Sequence, residues 1–417
     1  MKLLITLSIA LISTIGWGQN QISLDGCYKD LESHYPIAKQ TGMIKIQNDL
    51  EIDAINAKTL PQIVLNAQAT YYSDVIEIPI PTAGIEPLNN DQYKTTLSAQ
   101  QLIYKAGEIQ AAKKLQNTIG SVKSKEVEIQ LHQLKLYLNQ IYFSIIALNQ
   151  QLNLLQEREN QLKQTLLEVE SRVKNGLLLE SSQQIINIEL LKMKSLNKEL
   201  TAKKLKSLEV LSSMVGKNID ENTELTIPLV DQNINELNSR PELEFFQLKK
   251  DEITNRSILL NKVNAPTLSG FATAGYGNPG LNMLQNSFEE FYILGVQLQW
   301  NVFDWNFIKK KRDALEVNRE IINTQQEAFQ LKNNAELASF EDEIRSLEQQ
   351  IENDMLIVEL QEKVVSTTKS QLTNGLITSS VFITESTNLF EASTRHLQHR
   401  IALELAKANY NTTKGKK

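Results

Sequence analysis

Apolar side chains follow a heptad spacing along two long stretches of the chain. Between residues 134 and 173 they recur at alternating intervals of four and three, interrupted only at Glu159. This seam consists of Leu134, Leu138, Ile141, Ile145, Leu148, Leu152, Leu155, Leu162, Leu166, Val169 and Val173. A stripe sustained over about five heptads is typical of a coiled-coil helix. We therefore expect one very long helix over residues 108–173.

A second stretch, over residues 308–372, repeats the pattern less regularly. Its seam consists of Leu337, Phe340, Ile344, Leu347, Ile351, Val358 and Val365. An Asn-Gly pair follows each long helix, at Asn175-Gly176 and Asn374-Gly375, and glycine tolerates the left-handed conformation that ends a helix. Ser181 and Gln184 have the spacing of a capping box for the next helix. The sequence thus predicts two helical hairpins, over residues 107–214 and 307–411.

Four other segments alternate between apolar and polar positions, which predicts strands over about 62–73, 92–104, 267–277 and 290–303. In the clearest of them, the apolar positions are Tyr292, Leu294, Val296, Leu298, Trp300 and Val302. A strand with one apolar face suits a tilted membrane strand. It suits equally a sheet packed on its own helices, and the alternation leaves both open.

The order of these elements repeats along the chain. A shift of 205 positions superimposes Pro36 on Pro241, and a shift of 199 superimposes the two Asn-Gly-Leu turns. We expect a first copy over 19–216, a polar linker over 217–239 and a second copy over 240–417. A helix of about 35 residues capped by Ser23 should open the first copy. In the second copy, Ser239 should cap a helix with Pro241 near its first position.

Composition supports long helices, because only 9 prolines and 16 glycines occur in 417 residues, well below average usage. Met1-Lys2 and the apolar run after it predict a signal peptide over residues 1–18. No other window is apolar enough for a spanning helix. The motif around Cys27 only weakly resembles a lipoprotein cleavage box, and lipidation is not expected.

Charge and candidate chemistry argue against an enzyme or a nucleic-acid-binding protein. The net charge is −6, so no basic face for nucleic acid is expected. His396 and His399 lie three residues apart on a predicted helix, but no third metal ligand is evident, and we interpret them as a solvated pair. His34 and His132 have no evident partner. We therefore predict no catalytic residue, no metal and no cofactor.

Four strands cannot close a membrane barrel, since the smallest have about eight. An open sheet cannot lie in lipid, because its edge N–H and C=O groups would lack partners. Strands of this chain that enter a membrane must therefore be pooled between copies. Two copies would supply eight strands, and three would supply twelve, enough to leave a passage.

The sequence resembles the TolC-type outer-membrane efflux proteins. The resemblance lies in the duplication, in the paired Asn-Gly-Leu turns and in three segments, which are Ser23-Leu24-Asp25, Arg240-Pro241-Glu242-Leu243 and Leu298-Gln299-Trp300-Asn301-Val302-Phe303-Asp304. It implies a mainly α protein with a four-stranded β contribution, assembled as a homotrimer. The trimer would form a 12-stranded β-barrel in the outer membrane of a Gram-negative bacterium and a 12-helix α-barrel extending into the periplasm. It would be a passive duct of a tripartite efflux or type I export system, with a periplasmic adaptor and an inner-membrane pump as partners.

The resemblance also assigns roles to residues. The adaptor-docking tips would be Asn175, Gly176, Leu177, Leu178, Ser181, Ser182, Asn374, Gly375, Leu376, Ile377, Ser379 and Ser380, although ordinary helix C-caps remain the alternative. Val381 and Thr384 occupy the positions of the family's aspartate ring, so only the adjacent Glu385 could form a tunnel constriction, unless it is a solvated charge. Tyr104, Trp300, Phe303 and Trp305 would form an aromatic belt in contact with outer-membrane lipid, or would pack at a sheet edge.

Two other functional classes remain open from the sequence. A periplasmic adaptor also carries a long hairpin, but usually one hairpin inserted in a β-domain. A structural coiled-coil protein needs no amphipathic strands. The exported substrate and the particular adaptor and pump do not follow from the residues.

Overall fold

The computed structural model describes residues 22–76, 86–221, 223–228, 230 and 238–415. The predicted signal peptide and parts of the 217–239 linker lie outside the described residues. Within them the chain is mainly α-helical with one four-stranded antiparallel sheet of order β1-β2-β3-β4. The predicted fold class of the single chain is therefore confirmed.

The elements follow one another in the predicted order. They are α1 (Leu24–His34), a 3-10 turn (Pro36–Ala38), α2 (Lys39–Ala57), β1 (Gln62–Tyr71), β2 (Asp91–Tyr104), α3 (Glu108–Lys174), α4 (Glu180–Val215), α5 (Pro241–Val263), β3 (Thr267–Asn278), β4 (Glu289–Gln299), α6 (Phe307–Thr373) and α7 (Ser379–Lys414). Strand β4 ends four residues before the expected position 303.

The opening helix is shorter than predicted. Ser23 is its N-cap, as expected, and its hydroxyl oxygen accepts a hydrogen bond from the Gly26 N–H at 3.1 Å. The expectation of one helix of about 35 residues is wrong, because α1 ends at His34 and Tyr35 is extended, with φ −61° and ψ 137°. A residue before proline avoids the helical region, so Pro36 separates α1 from α2.

The start of α5 also differs from the prediction in one respect. Pro241 is its first residue, as expected. Ser239 is not in the N-cap position, however, because α5 begins at Pro241 and Arg240 directly precedes it. The Ser239 hydroxyl donates to the carbonyl oxygen of Gly415 at 2.9 Å. The end of α7 thus holds the segment that enters α5.

Elements of the two copies match in length and spacing. Helices α3 and α6 both contain 67 residues and α4 and α7 both contain 36. Both pairs start 199 positions apart, whereas β1 and β3 start 205 positions apart, as in the sequence shifts. Left-handed glycines recur at the same offset, Gly176 with Gly375 and Gly216 with Gly415. The outer limits of the copies, 19–216 and 240–417, stay a prediction.

The chain forms two compact units, each built from corresponding parts of both copies. The sheet unit comprises Gln40–Glu126 and Glu242–Ala328 and contains all four strands. The hairpin unit comprises the segment ending at Lys39 together with Val127–Pro241 and Phe329–Lys417.

The predicted seams form the core of the hairpin unit. The most deeply buried members of the first seam are Leu138, Ile145, Leu155, Leu162 and Val169. Between residues 148 and 169 the seam of α3 packs against Ile186, Met193 and Leu200 of α4. Leu372 and Phe382 of the second hairpin join the same cluster. Both hairpins therefore contribute to this cluster, whereas Ile344 and Leu347 of the second seam pack in a separate cluster with Ala406 and Tyr410 of α7.

The described part of the linker packs on the hairpin unit. Ile219 is buried in a cluster with Leu31 and Tyr142. The Tyr142 hydroxyl donates to the carbonyl oxygens of Ile22 and Thr226 at 2.9 and 2.6 Å. This polar stretch is therefore fastened to α3 rather than a free spacer.

Candidate membrane-facing sheet and helical tips

The apolar face of the sheet is exposed to solvent in the single chain. Directly paired residues share a face, and the register gathers the predicted apolar positions of all four strands on one side. On β4 the side chains of Tyr292, Leu294, Val296 and Leu298 are between 67% and 76% exposed. Ile63 and Leu65 on β1 are equally exposed. No described helix covers this face, which decides against a sheet packed on its own helices.

The opposite face carries the predicted polar side chains. They include Gln62, Asn66, Gln68, Thr70, Gln92, Thr96, Ser98, Gln100, Ser269, Thr273, Gln297 and Gln299. Hydrogen bonds link them across strands, such as that between the Ser98 and Thr273 hydroxyls at 3.1 Å. Phe271 and Phe291 are exceptions that lie over Gly295 and Gly275 of the neighbouring strands.

Aromatic side chains mark the helix end of the sheet, where strands lead into helices. The predicted belt residues Tyr104, Trp300, Phe303 and Trp305 are between 56% and 81% exposed. The rings of Phe303 and Trp305 contact each other edge to face, with centroids 4.8 Å apart. Trp305 has a positive φ of 53°, an unusual conformation for a bulky residue. Since these rings remain exposed, they are not buried at a sheet edge.

A second aromatic group, which was not predicted from the sequence, lies at the opposite end of the sheet, where the β1–β2 and β3–β4 connections are. We call this the loop end of the sheet. The group consists of Tyr71, Tyr93, Tyr276, Tyr292 and Phe288. All but Tyr292 sit where strands enter the connections, and Phe288 stacks on Tyr276 with centroids 5.4 Å apart. Tyr71, Tyr93, Tyr276 and Tyr292 project from the apolar face. Membrane barrels carry aromatic girdles at both interfaces.

The distance between the two aromatic groups fits a bilayer. On β4, Tyr292 and Trp300 are eight residues apart, about 27 Å along a strand. A strand tilt of about 40° reduces this to about 21 Å along the membrane normal, close to the roughly 25 Å band of outer-membrane barrels.

Strands β1 and β4 are the edges of the sheet, and each pairs on one side only within the described residues. Their outward N–H and C=O groups would be unsatisfied in lipid. The single chain is therefore incomplete as a membrane structure. None of the described helices is long and apolar enough to cross a bilayer.

The two hairpin tips have the same backbone geometry. Gly176 and Gly375 have φ of +72° and +71°. At the first tip, the Gly176 N–H donates to the Val173 carbonyl at 3.0 Å and the Leu177 N–H to the Arg172 carbonyl at 2.8 Å. The second tip repeats both bonds. This is the Schellman pattern of helix termination.

Side chains at the tips divide into exposed and buried groups. Asn175, Gly176, Leu177, Ser181, Asn374, Gly375, Leu376 and Ser380 are exposed. Leu178 and Ile377 instead pack against the hairpin core, and Ser182 and Ser379 are buried. The first group is fully accessible to a partner, Leu178 and Ile377 are partly accessible, and Ser182 and Ser379 are not.

The predicted capping box is wrong. Helix α4 begins at Glu180 with Leu179 as its N-cap, and no side chain caps it. The Ser182 N–H bonds to the Leu179 carbonyl, and Ser181 lies inside the first helical turn rather than at the N-cap.

Glu385 is held within its own hairpin. Its carboxylate accepts hydrogen bonds from Gln361 at 2.8 Å and Asn388 at 3.2 Å. It is therefore not a freely solvated charge, and its place at a tunnel constriction stays a prediction.

Three of the four histidines, His34, His132 and His399, have partners that the sequence did not reveal. His399 Nδ1 lies 2.6 Å from the buried carboxylate of Asp354 on α6, so the interpretation of a solvated pair with His396 is wrong. His132 Nε2 lies 2.8 Å from the Thr412 carbonyl, and His34 bonds to Ser33. No cluster of three or more metal-ligating side chains occurs in the described part of the chain.

A buried ion pair in the first hairpin also bonds to the second hairpin. Arg158 on α3 is 5% exposed, and its Nη2 donates to Glu189 on α4 at 2.7 Å and to the Thr387 hydroxyl on α7 at 2.9 Å. Its guanidinium lies 4.6 Å from the ring centroid of Phe390. Burial lowers the pKa of Arg158, whereas the charge of Glu189 raises it.

No protein-family model and no curated protein sequence matches this chain. Several solved structures do. The outer membrane protein VceC of Vibrio cholerae has a TM-score of 0.69 at 14% identity, covering 94% of this chain and 96% of that protein. The CmeC outer membrane channel of Campylobacter jejuni gives 0.67 at 13%, covering 94% and 85%. The MtrE outer membrane channel of Neisseria gonorrhoeae, in its open state, gives 0.66 at 11%, covering 94% and 88%. The chain therefore has the fold of outer-membrane channel proteins.

Proposed function

We propose that the protein is the outer-membrane channel of a tripartite efflux or type I export system in a Gram-negative bacterium. The observation that carries this proposal is an exposed apolar sheet face between two aromatic groups at bilayer spacing. In this role the chain is a passive duct that catalyses no reaction.

Three copies pool their sheets in this proposal. Twelve strands would satisfy the free edges of β1 and β4 and would leave a passage lined by the polar face. Eight strands from two copies would leave an interior filled by side chains, which fits a row of glutamines and threonines poorly. The α-helices would then form a twelve-helix tunnel that extends into the periplasm, and Glu385 would line its constriction.

The helical tips would bind the periplasmic adaptor, which in turn connects to the inner-membrane pump. In a Schellman cap, the residue directly after the left-handed glycine usually contacts an apolar residue in the last turn of the helix. The helix residues in position for this contact are polar, Arg172 and Ser171 for Leu177 and Gln371 and Ser370 for Leu376. Both leucines stay exposed, at 65% and 74%. Two apolar side chains without an internal partner favour docking over an ordinary cap.

The two other classes fit the structure less well. An adaptor with one hairpin inserted in a β-domain differs from this chain, in which a strand pair precedes each of two hairpins. A structural coiled-coil protein has no use for an exposed apolar sheet face.

Envelope fractionation and planar-bilayer recording test the channel. We expect the protein in the outer-membrane fraction and step-like conductance from the purified protein. A monomer in the soluble periplasmic fraction would contradict the proposal.

The docking role needs a separate test in cells that depend on this exporter. Leu177→Asp with Leu376→Asp should abolish export while the protein still reaches the outer membrane, because a charge prevents apolar docking. The matched variant, Leu177→Met with Leu376→Met, should retain export. Normal export by the aspartate variant would exclude these tips as the docking surface.

A further inference from the structure

Charge on the polar face of the sheet is confined to two residues. Among the described strand positions of that face, only Lys94 on β2 and Glu289 on β4 are ionisable. All others are amides, hydroxyl residues, glycines or apolar side chains. Both charges lie near the loop end of the sheet, where the β1–β2 and β3–β4 connections are.

Lys94 is positioned by an aromatic ring. Its Nζ lies 5.0 Å from the ring centroid of Phe291 on β4, within the range of a cation–π contact. Phe291 can lie there because Gly275, directly opposite on β3, has no side chain, and a Cβ would come within 2.3 Å of the ring.

Glu289 occupies the same rung of the sheet. Lys94 pairs with Gly277 on β3, and Gly277 pairs with Glu289. Two strand spacings separate their Cα atoms by about 10 Å, and the two side chains form no ion pair in the described part of the chain. Gln285 and Ser287 fix the carboxylate with hydrogen bonds of 2.9 and 2.8 Å. Gly277 places no side chain between the two charges, so both face the same space.

We propose that Lys94 and Glu289 balance each other's charge in the barrel, whose polar face is otherwise uncharged at the described strand positions, and thereby set the ion selectivity of this part of the duct. This inference rests on the proposed function, since three copies would alternate three lysines with three glutamates around one rung. The balanced ring passes ions of both signs. It therefore suits uncharged and amphipathic solutes rather than solutes selected by charge.

Neutralising either Lys94 or Glu289 should leave the ring with a net charge. Three uncompensated charges about 10 Å from a passing ion change its permeability by about twofold at roughly 0.1 M salt, where screening acts over about 10 Å. At about 1 M salt the screening length falls to about 3 Å and the effect should vanish.

Reversal potentials across bilayers with a KCl gradient test the inference. Lys94→Gln should raise the potassium-to-chloride permeability ratio about fourfold, because potassium permeability rises and chloride permeability falls by about twofold each, and Glu289→Gln should lower the ratio by a similar factor. The double variant and Lys94→Arg should resemble the wild type.

Glu290→Gln is the matched control. Glu290 is the next residue on β4 but projects from the apolar face, opposite Tyr276, so its loss should leave the reversal potential unchanged.

The outcomes separate the two proposals. Wild-type conductance with unshifted potentials in both single variants would overturn this inference and leave the channel standing. Shifts of equal size in Glu290→Gln would also overturn it. Recovery of the wild-type protein as a monomer in the soluble periplasmic fraction would instead contradict the proposed function.

Discussion

Replacement of Arg158 by methionine should destabilise the joined hairpins, because it leaves the carboxylate of Glu189 buried without its main partner. That side chain is only 7% exposed. Lys192 remains near its second oxygen at 3.3 Å, but the lysine is 67% exposed and screened by solvent. Thr387 and Phe390 lose the guanidinium at the same time.

The size of the effect follows from the burial of the pair. Breaking a buried ion pair from one side costs about 3–5 kcal/mol, and the residual contact with Lys192 favours the lower end. An unfolding entropy of about 2.1 cal/mol/K per residue gives about 0.8 kcal/mol/K for some 400 residues, so Tm should fall by about 4 °C. The double variant, Arg158→Met with Glu189→Leu, should lie close to the wild type, because a packed apolar pair replaces a buried ion pair at little or no loss.

Thermal unfolding followed by the helical circular dichroism signal in detergent measures these shifts. Arg345→Met is the matched control, since its ion pair with Asp342 joins two exposed side chains on one helix and its loss should change Tm by less than about 1 °C. A single variant no less stable than this control would refute the reasoning. So would a double variant as unstable as Arg158→Met.

Three further predictions concern the tips, the thiol and the aromatic belt. Alanine at both Gly176 and Gly375 should lower Tm, because both positions have a left-handed backbone that costs a residue with a Cβ about 1–2 kcal/mol. Gly42→Ala should raise Tm, because Gly42 is helical and a Cβ there would meet no other atom. Shifts of Tm in the same direction for both changes would contradict this prediction. Burial raises the pKa of the Cys27 thiol to about 12, so a maleimide at about pH 8 should label it only after unfolding, and fast labelling of folded protein would show the thiol to be accessible. In liposomes, lipids brominated near the headgroup should quench a fluorescence component that Trp305→Phe removes, and an unquenched Trp305 would place it outside the interface.

Local periodicity was sufficient to predict the strands and seams. Apolar positions repeat every second or every 3.5 residues regardless of what they contact, so Leu155 and Leu294 could be assigned to a core and a face from the sequence. The break at Tyr35 was also accessible, because a residue before proline avoids the helical region. The wrongly predicted Ser181 cap shows the limit of such signals, since helix boundaries vary by a residue or two.

Features that depend on distant partners could not be predicted in this way. The aromatic group at the loop end of the sheet can be recognised only when the register brings together Tyr71, Tyr93 and Tyr276 from three strands. Arg158 meets Thr387, 229 positions away, and His399 meets Asp354 on another helix. Pairings of this kind are set by helix packing, which one sequence does not encode in any short window.

Hydrogen exchange of the edge strands tests the central claim, that copies of this chain pool their sheets into a closed barrel. The protein is extracted from outer membranes, and exchange is followed by mass spectrometry for peptides covering β1 and β4, with β2 and β3 as internal references. A closed barrel predicts that amides of the edge strands exchange as slowly as those of β2 and β3, because every strand is then paired on both sides. Fast exchange of about half the amides of β1 and β4, with β2 and β3 protected, would show free edges and contradict the account.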